Sequence, residues 1–241
     1  MIVLIRRSTV LFIAMLIIVS YLTITISKHR VKDSIALSTH KVVLDAGHGG
    51  FDGGAVGKSG SVEKDLNLQI ALKLQKKLEK AGYEVIMTRT DDSAVSPHED
   101  KRLRIKKRDD MNTRVKIMNE SGADVFLSIH MNTFTQSQYY GAQVFYSTND
   151  ARSKVLGEII QEELRKVSFK KNDRVAKPAD SSVFILKQAK IPAVIVECGF
   201  ISNEEEELML MDEKYQEKIA QAILDAVNKY FEEGSHEDLH N

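Results

Sequence analysis

Four residues in this 241-residue chain are of types that could together hydrolyse a bond: His48, Glu63, His130 and Glu197. Two imidazoles and one carboxylate, here His48, His130 and Glu63, suffice to hold a catalytic zinc ion with a fourth position open for water. Zinc held in that way lowers the pKa of a bound water from 15.7 to about 7. Glu197 ends the apolar run 193–196, where a carboxylate is costly unless something positive or proton-donating waits beside it. As a general base it would take a proton from the attacking water and deliver it to a leaving amine. A buried pair with a lysine such as Lys177 or Lys187 is the plainer reading of the same residue, and both stay open here.

These residues gain weight from the elements that must position them. The apolar residues Val42, Val43 and Leu44 form a short buried strand, which breaks into the glycine-rich turn around His48. Glu63 opens an amphipathic helix over 63–81, with Leu66, Ile70, Leu74 and Leu78 on its apolar face. Ser61 is expected to cap that helix and Gly82 to end it. A strand over 83–88 completes a βαβ unit, and hence a parallel sheet. His130 ends a further buried strand, 124–130. Open α/β sheets gather their sites at the carboxyl ends of strands. Asp45 and Asn132 are the expected acceptors for the second N–H of the metal-facing imidazoles.

The remaining elements frame this centre. A helix is expected over 108–120, a strand of edge character over 141–146, and an amphipathic helix over 152–167 with Val155, Ile159 and Leu164 inward. Two apolar runs, 183–186 and 193–196, precede a closing helix over 212–231, with Tyr215, Ile219, Ile223, Ala226 and Tyr230 on one side. The acidic run 204–207 reads as a solvated helix start. Residues 90–110 are crowded with lysine and arginine. They form either a solvated loop running into a helix or a rim that meets an anionic polymer or a partner protein.

Composition removes several function classes. Lysine plus arginine equals aspartate plus glutamate, 34 each, which excludes a nucleic-acid binder working by overall basic charge. The single cysteine, Cys198, excludes an internal disulfide and a thiolate-rich metal site. No serine sits in a G-x-S-x-G elbow and Cys198 has no dedicated base, so nucleophilic catalysis is the weaker reading.

Residues 8–27 carry no charge and suffice to span a bilayer as a helix. A cleaved signal would show a shorter apolar core followed directly by a small-x-small site. The expected organisation is a short segment 1–7, a transmembrane anchor 8–27, a linker 28–40, a catalytic domain 41–232 and a polar tail 233–241. Both flanks of the anchor are basic, so charge asymmetry does not set its orientation.

Several motifs recur in order: Leu44-Asp45-Ala46-Gly47-His48-Gly49-Gly50 with Asp52-Gly53-Gly54-Ala55, Glu63-Lys64-Asp65-Leu66-Asn67-Leu68, and Thr88-Arg89. Arg114 and Asn119, Ala123-Asp124, Ser128-Ile129-His130-Met131-Asn132, Pro192-Ala193 and Glu197-Cys198-Gly199-Phe200-Ile201-Ser202-Asn203 follow. With these the soluble part resembles the zinc-dependent N-acetylmuramoyl-L-alanine amidases of bacterial cell walls. The resemblance implies one zinc ion on His48, Glu63 and His130, with Glu197 as the catalytic glutamate. It also implies an α/β fold: a single, mostly parallel sheet of about six strands with helices on both faces. The family cleaves the amide between N-acetylmuramic acid and L-alanine of peptidoglycan. Ala46 stands where the family often has proline, and Asn172-Asp173-Arg174-Val175-Ala176-Lys177 departs from its asparagine-arginine-glycine stretch.

The membrane segment, the bare catalytic domain and the basic insertion after Thr88-Arg89 resemble the sporulation type within that family. Those enzymes strip stem peptides from spore cortex, and a deacetylase then completes muramic-δ-lactam needed for germination. The expected partners are peptidoglycan from the resemblance, the membrane through the N-terminal helix, and an activating or regulatory protein suggested by the bare domain and charged insertion, with no nucleic acid. The implied location is a bacterial membrane, single-pass, with the catalytic domain outside the cytoplasm or in the space around the forespore. A vegetative wall amidase, a zinc peptidase acting on wall peptides and a non-catalytic wall-binding module are the competing readings.

Overall fold

The computed structural model describes residues 15, 16, 18–21, 40–96 and 102–237, with side chains to 233. Most of the expected anchor 8–27, the linker and the end of the tail lie outside the described residues. Among the described residues no helix is long and apolar enough to cross a membrane.

Six strands form one sheet in the order β2-β1-β3-β6-β4-β5: β1 (Lys41–Ala46), β2 (Glu84–Met87), β3 (Val125–Asn132), β4 (Gln143–Tyr146), β5 (Lys177–Pro178) and β6 (Ala193–Phe200). β2, β1, β3 and β6 run parallel, while β4 lies antiparallel to β6 and carries β5 parallel to itself. β1, β3 and β6 read as continuous apolar runs because helices cover both faces of the sheet. On one face α1 (Glu63–Ala81), α3 (Arg152–Val167) and α6 (Glu213–Glu237) bury Leu74, Ile160 and Ile223 against Leu44, Leu127 and Val196. On the other, α2 (Leu103–Glu120) and the single turn α4 (Phe184–Lys187) bury Met118 and Ile185 against Val43, Phe126 and Ile195. The short helix α5 (Glu204–Met211) follows β6.

Several expectations need correction. Ser61 does not cap α1, whose N-cap is Val62 without a side-chain bond; the Ser61 hydroxyl donates instead to Glu207 at 2.7 Å. Gly82 does end α1, in the left-handed region at φ 102°. α2 begins at Leu103, not at 108, because Arg104, Lys106, Lys107 and Arg108, strong helix formers, crowd its first turns and leave no apolar stripe to read. β4 is interior, and the true edge is the two-residue β5, where Pro178 needs no ladder donor. Val155 faces solvent, and the inward row of α3 is Leu156, Ile160 and Leu164 with Ile159 beside it.

The acidic run is only half solvated. Glu204 and Glu205 face water, but Glu206 and Glu207 are fully buried. Glu206 accepts from the amides of Gly141 and Phe200, and Glu207 from the amide of Ser59 and the hydroxyl of Ser61. A buried carboxylate is tolerable when its oxygens are satisfied in this way.

Candidate active site

The carboxyl ends of β1, β3 and β6 lie side by side, so the residues that leave them converge. β1 passes into Gly47, whose amide donates to the Ile129 carbonyl at 3.0 Å and keeps the chain against β3. His48 then adopts φ 61°, the left-handed conformation that is unfavourable for a residue with a side chain. Three side chains hold this turn by its carbonyls. Arg89 donates to Ala46 at 2.8 Å and to Gly47 at 3.1 Å, Asn67 to Gly47 at 3.1 Å, and Arg114 to Ala46 at 3.0 Å and His48 at 2.6 Å. Below the turn Arg114 pairs with Asp45, which also accepts from Thr88 at 2.7 Å and Ser128 at 2.5 Å.

Asp45 is therefore a partner of Arg114 and not of an imidazole. The carboxylate that orients His48 is Asp52, whose Oδ2 lies 2.9 Å from His48 Nδ1. It stands one helical-turn spacing along the chain, a signal that sequence reading passed over. The Asn132 side chain makes no hydrogen bond to either imidazole; its contribution is the backbone carbonyl that accepts from Ile201 at 2.9 Å. The other Asp52 oxygen accepts from Lys107 at 2.8 Å, which brings one lysine of the basic segment to the rim of the site.

Glu63, the first residue of α1, completes the centre. Its Oε2 accepts from the Ala55 amide at 2.8 Å, leaving Oε1 3.2 Å from His48 Nε2 and 3.0 Å from His130 Nδ1. One ligand atom from each of His48, Glu63 and His130 lies within 4.8 Å of the others. Glycine is required where these side chains close in. A Cβ at Gly47 would stand 2.2 Å from His130 Nε2, and one at Gly54, where φ is 70°, 2.5 Å from Glu63 Oε2. Burial works to raise the Glu63 pKa, but hydrogen bonds with His130 and His48 outweigh it and hold the carboxylate well below its ordinary range. Burial likewise opposes charge on His48, and is outweighed by Asp52 and Glu63, which raise it to about 9.

Glu197 sits on β6 in register with His130 on β3. Its Oε2 is buried without any hydrogen-bond partner. Neither Lys177 nor Lys187 pairs with it, so the buried ion pair is not formed; both lysines are exposed on β5 and α4. Burial raises the Glu197 carboxyl to about 7, with His130 and His48 pulling it down and Glu63 pushing it up. Two imidazoles, an ionised carboxylate, an aspartate behind one imidazole and an orphaned carboxylate oxygen alongside fit a zinc ion and a water.

The family model of N-acetylmuramoyl-L-alanine amidase matches residues 42–229. The germination-specific N-acetylmuramoyl-L-alanine amidase of Bacillus subtilis is 36% identical over 200 residues, covering 83% of each chain. The probable cell wall amidase LytH of Staphylococcus aureus is 35% identical over 202 residues, 83% of this chain and 61% of that one. The CwlD amidase of Clostridioides difficile, solved in complex with the GerS lipoprotein, superposes with a TM-score of 0.77 at 48% identity, over 80% of this chain and 98% of that one. The turn at His48, the helix start at Glu63 and the paired positions His130 on β3 and Glu197 on β6 all fall inside the matched span, and the chain belongs to the N-acetylmuramoyl-L-alanine amidase family, enzymes that hydrolyse peptidoglycan.

Proposed function

We propose that this amidase acts with one zinc ion held by His48, Glu63 and His130, and with Glu197 as its general base. Zinc, when bound, acidifies water and polarises the scissile carbonyl. Glu197 removes a proton from the attacking water as the new C–O bond forms at the lactyl carbonyl carbon. It returns that proton to the L-alanine nitrogen as the C–N bond breaks. Asp52 keeps His48 turned with Nε2 toward the centre. The observation that carries this reading is the orphaned Oε2 of Glu197, beside His130 and satisfied by nothing in the protein.

The substrate is spore-cortex peptidoglycan, and the cut is the step that precedes muramic-δ-lactam formation during preparation for germination. The likeness to a germination-specific amidase supports this, as does the basic segment beside the site. Residues 8–27 anchor the enzyme in a bacterial membrane, with the catalytic domain outside the cytoplasm or in the space around the forespore. An activating protein partner fits the complex formed by the CwlD relative.

The test incubates the full chain and its Glu197→Gln variant, both with zinc, with peptidoglycan from spores and from growing cells. New L-alanine amino termini and peptide-free muramic acid are counted. The unaltered chain should release both, faster from cortex, and the variant should lose about 10²–10⁴-fold of the rate. Full activity in the variant would remove Glu197 from its role. Equal rates on the two walls would remove the cortex assignment, and cleavage between two amino acids would make the enzyme a peptidase.

A further inference from the structure

Two loops build a second surface on the edge of the sheet where the active site lies. Residues 133–142 leave β3 just beyond His130, and 168–176 lead into β5, which runs parallel to β4 and so starts from that same edge. Residues that follow β6 pin the first loop: the Phe134 amide donates to Ser202 Oγ at 3.0 Å, Asn203 Nδ2 to the Ser137 carbonyl at 2.8 Å, and the Gly141 amide to Glu206 at 3.0 Å. Asn172 and Arg174 tie the second loop to it through the carbonyls of Ala142 and Tyr140, at 2.9 and 2.8 Å. Between the loops lies an open cavity of about 250 Å³, lined by Tyr139, Tyr140, Lys171 and Arg174 among others.

The charge and shape of this cavity are specific. The Arg174 guanidinium stacks 4.6 Å from the Phe200 ring and stands 6.0 Å from that of Tyr139. Among the described residues its Nη2 has no hydrogen-bond partner, and no carboxylate forms an ion pair with it. Lys171 is already paired with Asp173 at 3.0 Å, whereas Arg174 feels a carboxylate only at longer range, from the buried Glu206. Tyr139 and Phe134 meet edge to face at 5.0 Å yet remain 41% and 52% exposed. Stacking leaves the in-plane N–H groups of an arginine accessible; with Nε on the Tyr140 carbonyl and Nη1 3.4 Å from Gln143 Oε1, Nη2 is the donor left for a carboxylate.

We propose that Arg174, framed by Tyr139 and Phe134, is a specificity-determining residue that binds a carboxylate of the leaving stem peptide. The inference rests on the scissile amide lying beside Glu197. Phe200 is three residues along β6 from Glu197, roughly 10 Å at ~3.3 Å per residue. An extended peptide crosses that span in about three residues. Peptide leaving the active site in the direction of this loop therefore brings its early carboxylates to the guanidinium, while its backbone runs over the exposed rings.

The experiment titrates three forms of L-alanyl-γ-D-glutamyl-L-lysine into the zinc-loaded full chain by calorimetry: both carboxylates free, the glutamyl one as carboxamide, and the C-terminal one as carboxamide. The unaltered chain should lose at least ~10-fold in affinity for one of the two amides. Arg174→Gln should bind all three forms within about twofold, and Arg174→Lys, which keeps the charge and the packing stem but not the planar guanidinium that presents Nη2, should retain less than about a third of the preference. Zinc content should stay at the unaltered value in Arg174→Lys, and the unfolding midpoint should fall only slightly, as the Nε bond to the Tyr140 carbonyl is lost. Equal binding of the three forms by the unaltered chain, or full preference in either variant, overturns the proposal. Cleavage of a muramoyl peptide is scored separately on the same samples. Carboxylate preference without cleavage removes the assignment of Glu197 and leaves the subsite, whereas cleavage without preference does the reverse.

Discussion

Arg114 donates from Nη2 to the backbone carbonyl of His48 at 2.6 Å, and His48 is the one non-glycine residue among those described that holds a positive φ. The same guanidinium is paired with Asp45, both side chains 2% exposed. A turn that L-residues disfavour is thus held from beneath by a buried charge pair, and the imidazole it carries is aimed at Glu63, with Nε2 3.2 Å from Oε1.

Breaking that pair should be severe. Arg114→Leu strands the Asp45 carboxylate in the interior, and a buried charge left without its partner costs about 3–5 kcal/mol. Urea unfolding of the zinc-free chain should show a midpoint lowered to match. Replacing Asp45 by asparagine in the same chain should recover part of that loss, because no buried charge is then left over. A shift below about 1 kcal/mol in Arg114→Leu would mean that the pair holds nothing.

Legibility in the sequence followed the physics of each element. β1, α1, β3 and β6 were readable because burial on both sheet faces, or on one helix face, leaves an apolar pattern that is local in sequence. His48, Glu63, His130 and Glu197 were readable because each stands where such a pattern stops. Asp52, Arg89 and Arg114 had no visible role, although the family motifs contain them, because their partners are backbone carbonyls and side chains distant along the chain. Glu206 and Glu207 were misread for the same reason: nothing in a run of four glutamates marks which two will meet the amides of Gly141 and Ser59. β5 is two residues long and has no pattern to read.

Asp52 should set zinc affinity without setting the fold. Its carboxylate fixes the His48 tautomer from Nδ1 and lies 25% exposed at the surface. Removing such an outer partner costs metal affinity about 10–100-fold. Asp52→Ala should therefore release zinc to a chelator at a correspondingly lower concentration, while its urea midpoint without metal moves little. Unchanged zinc affinity would show that Glu63 and the backbone alone orient His48.

Gly47→Ala tests the closeness of β1 to His130. Gly47 needs no positive φ, so the whole effect is the 2.2 Å approach of a methyl group to His130 Nε2. The ring must swing away from Glu63, and a displacement of about 1 Å at a catalytic group can cost roughly 10²-fold. Activity on peptidoglycan should fall by about that factor together with zinc content. Activity and zinc near the unaltered levels would mean that the imidazole moves aside without leaving the centre.

Glu206 gives stability a pH dependence of known sign. Burial raises its carboxyl from 4.5 to about 7, against the pull of the Phe200 and Gly141 amides and the more distant Arg174 and Lys170. Between those two values the folded chain binds a proton that the unfolded chain has released, so stability falls as pH rises. The contribution is fully present below pH 4.5 and is gone above about 7. Unfolding midpoints measured in urea at intervals from pH 4.5 to 8 should decline across this window in the unaltered chain. Glu206→Gln loses some stability at every pH, since one amide donor then faces an NH₂ group, but its decline should be shallower by that one proton. Other groups, His48 at about 9 among them, titrate in both chains alike and cancel in the difference. Parallel curves for the two chains would place Glu206 in its ionised form throughout, held there by the two amides.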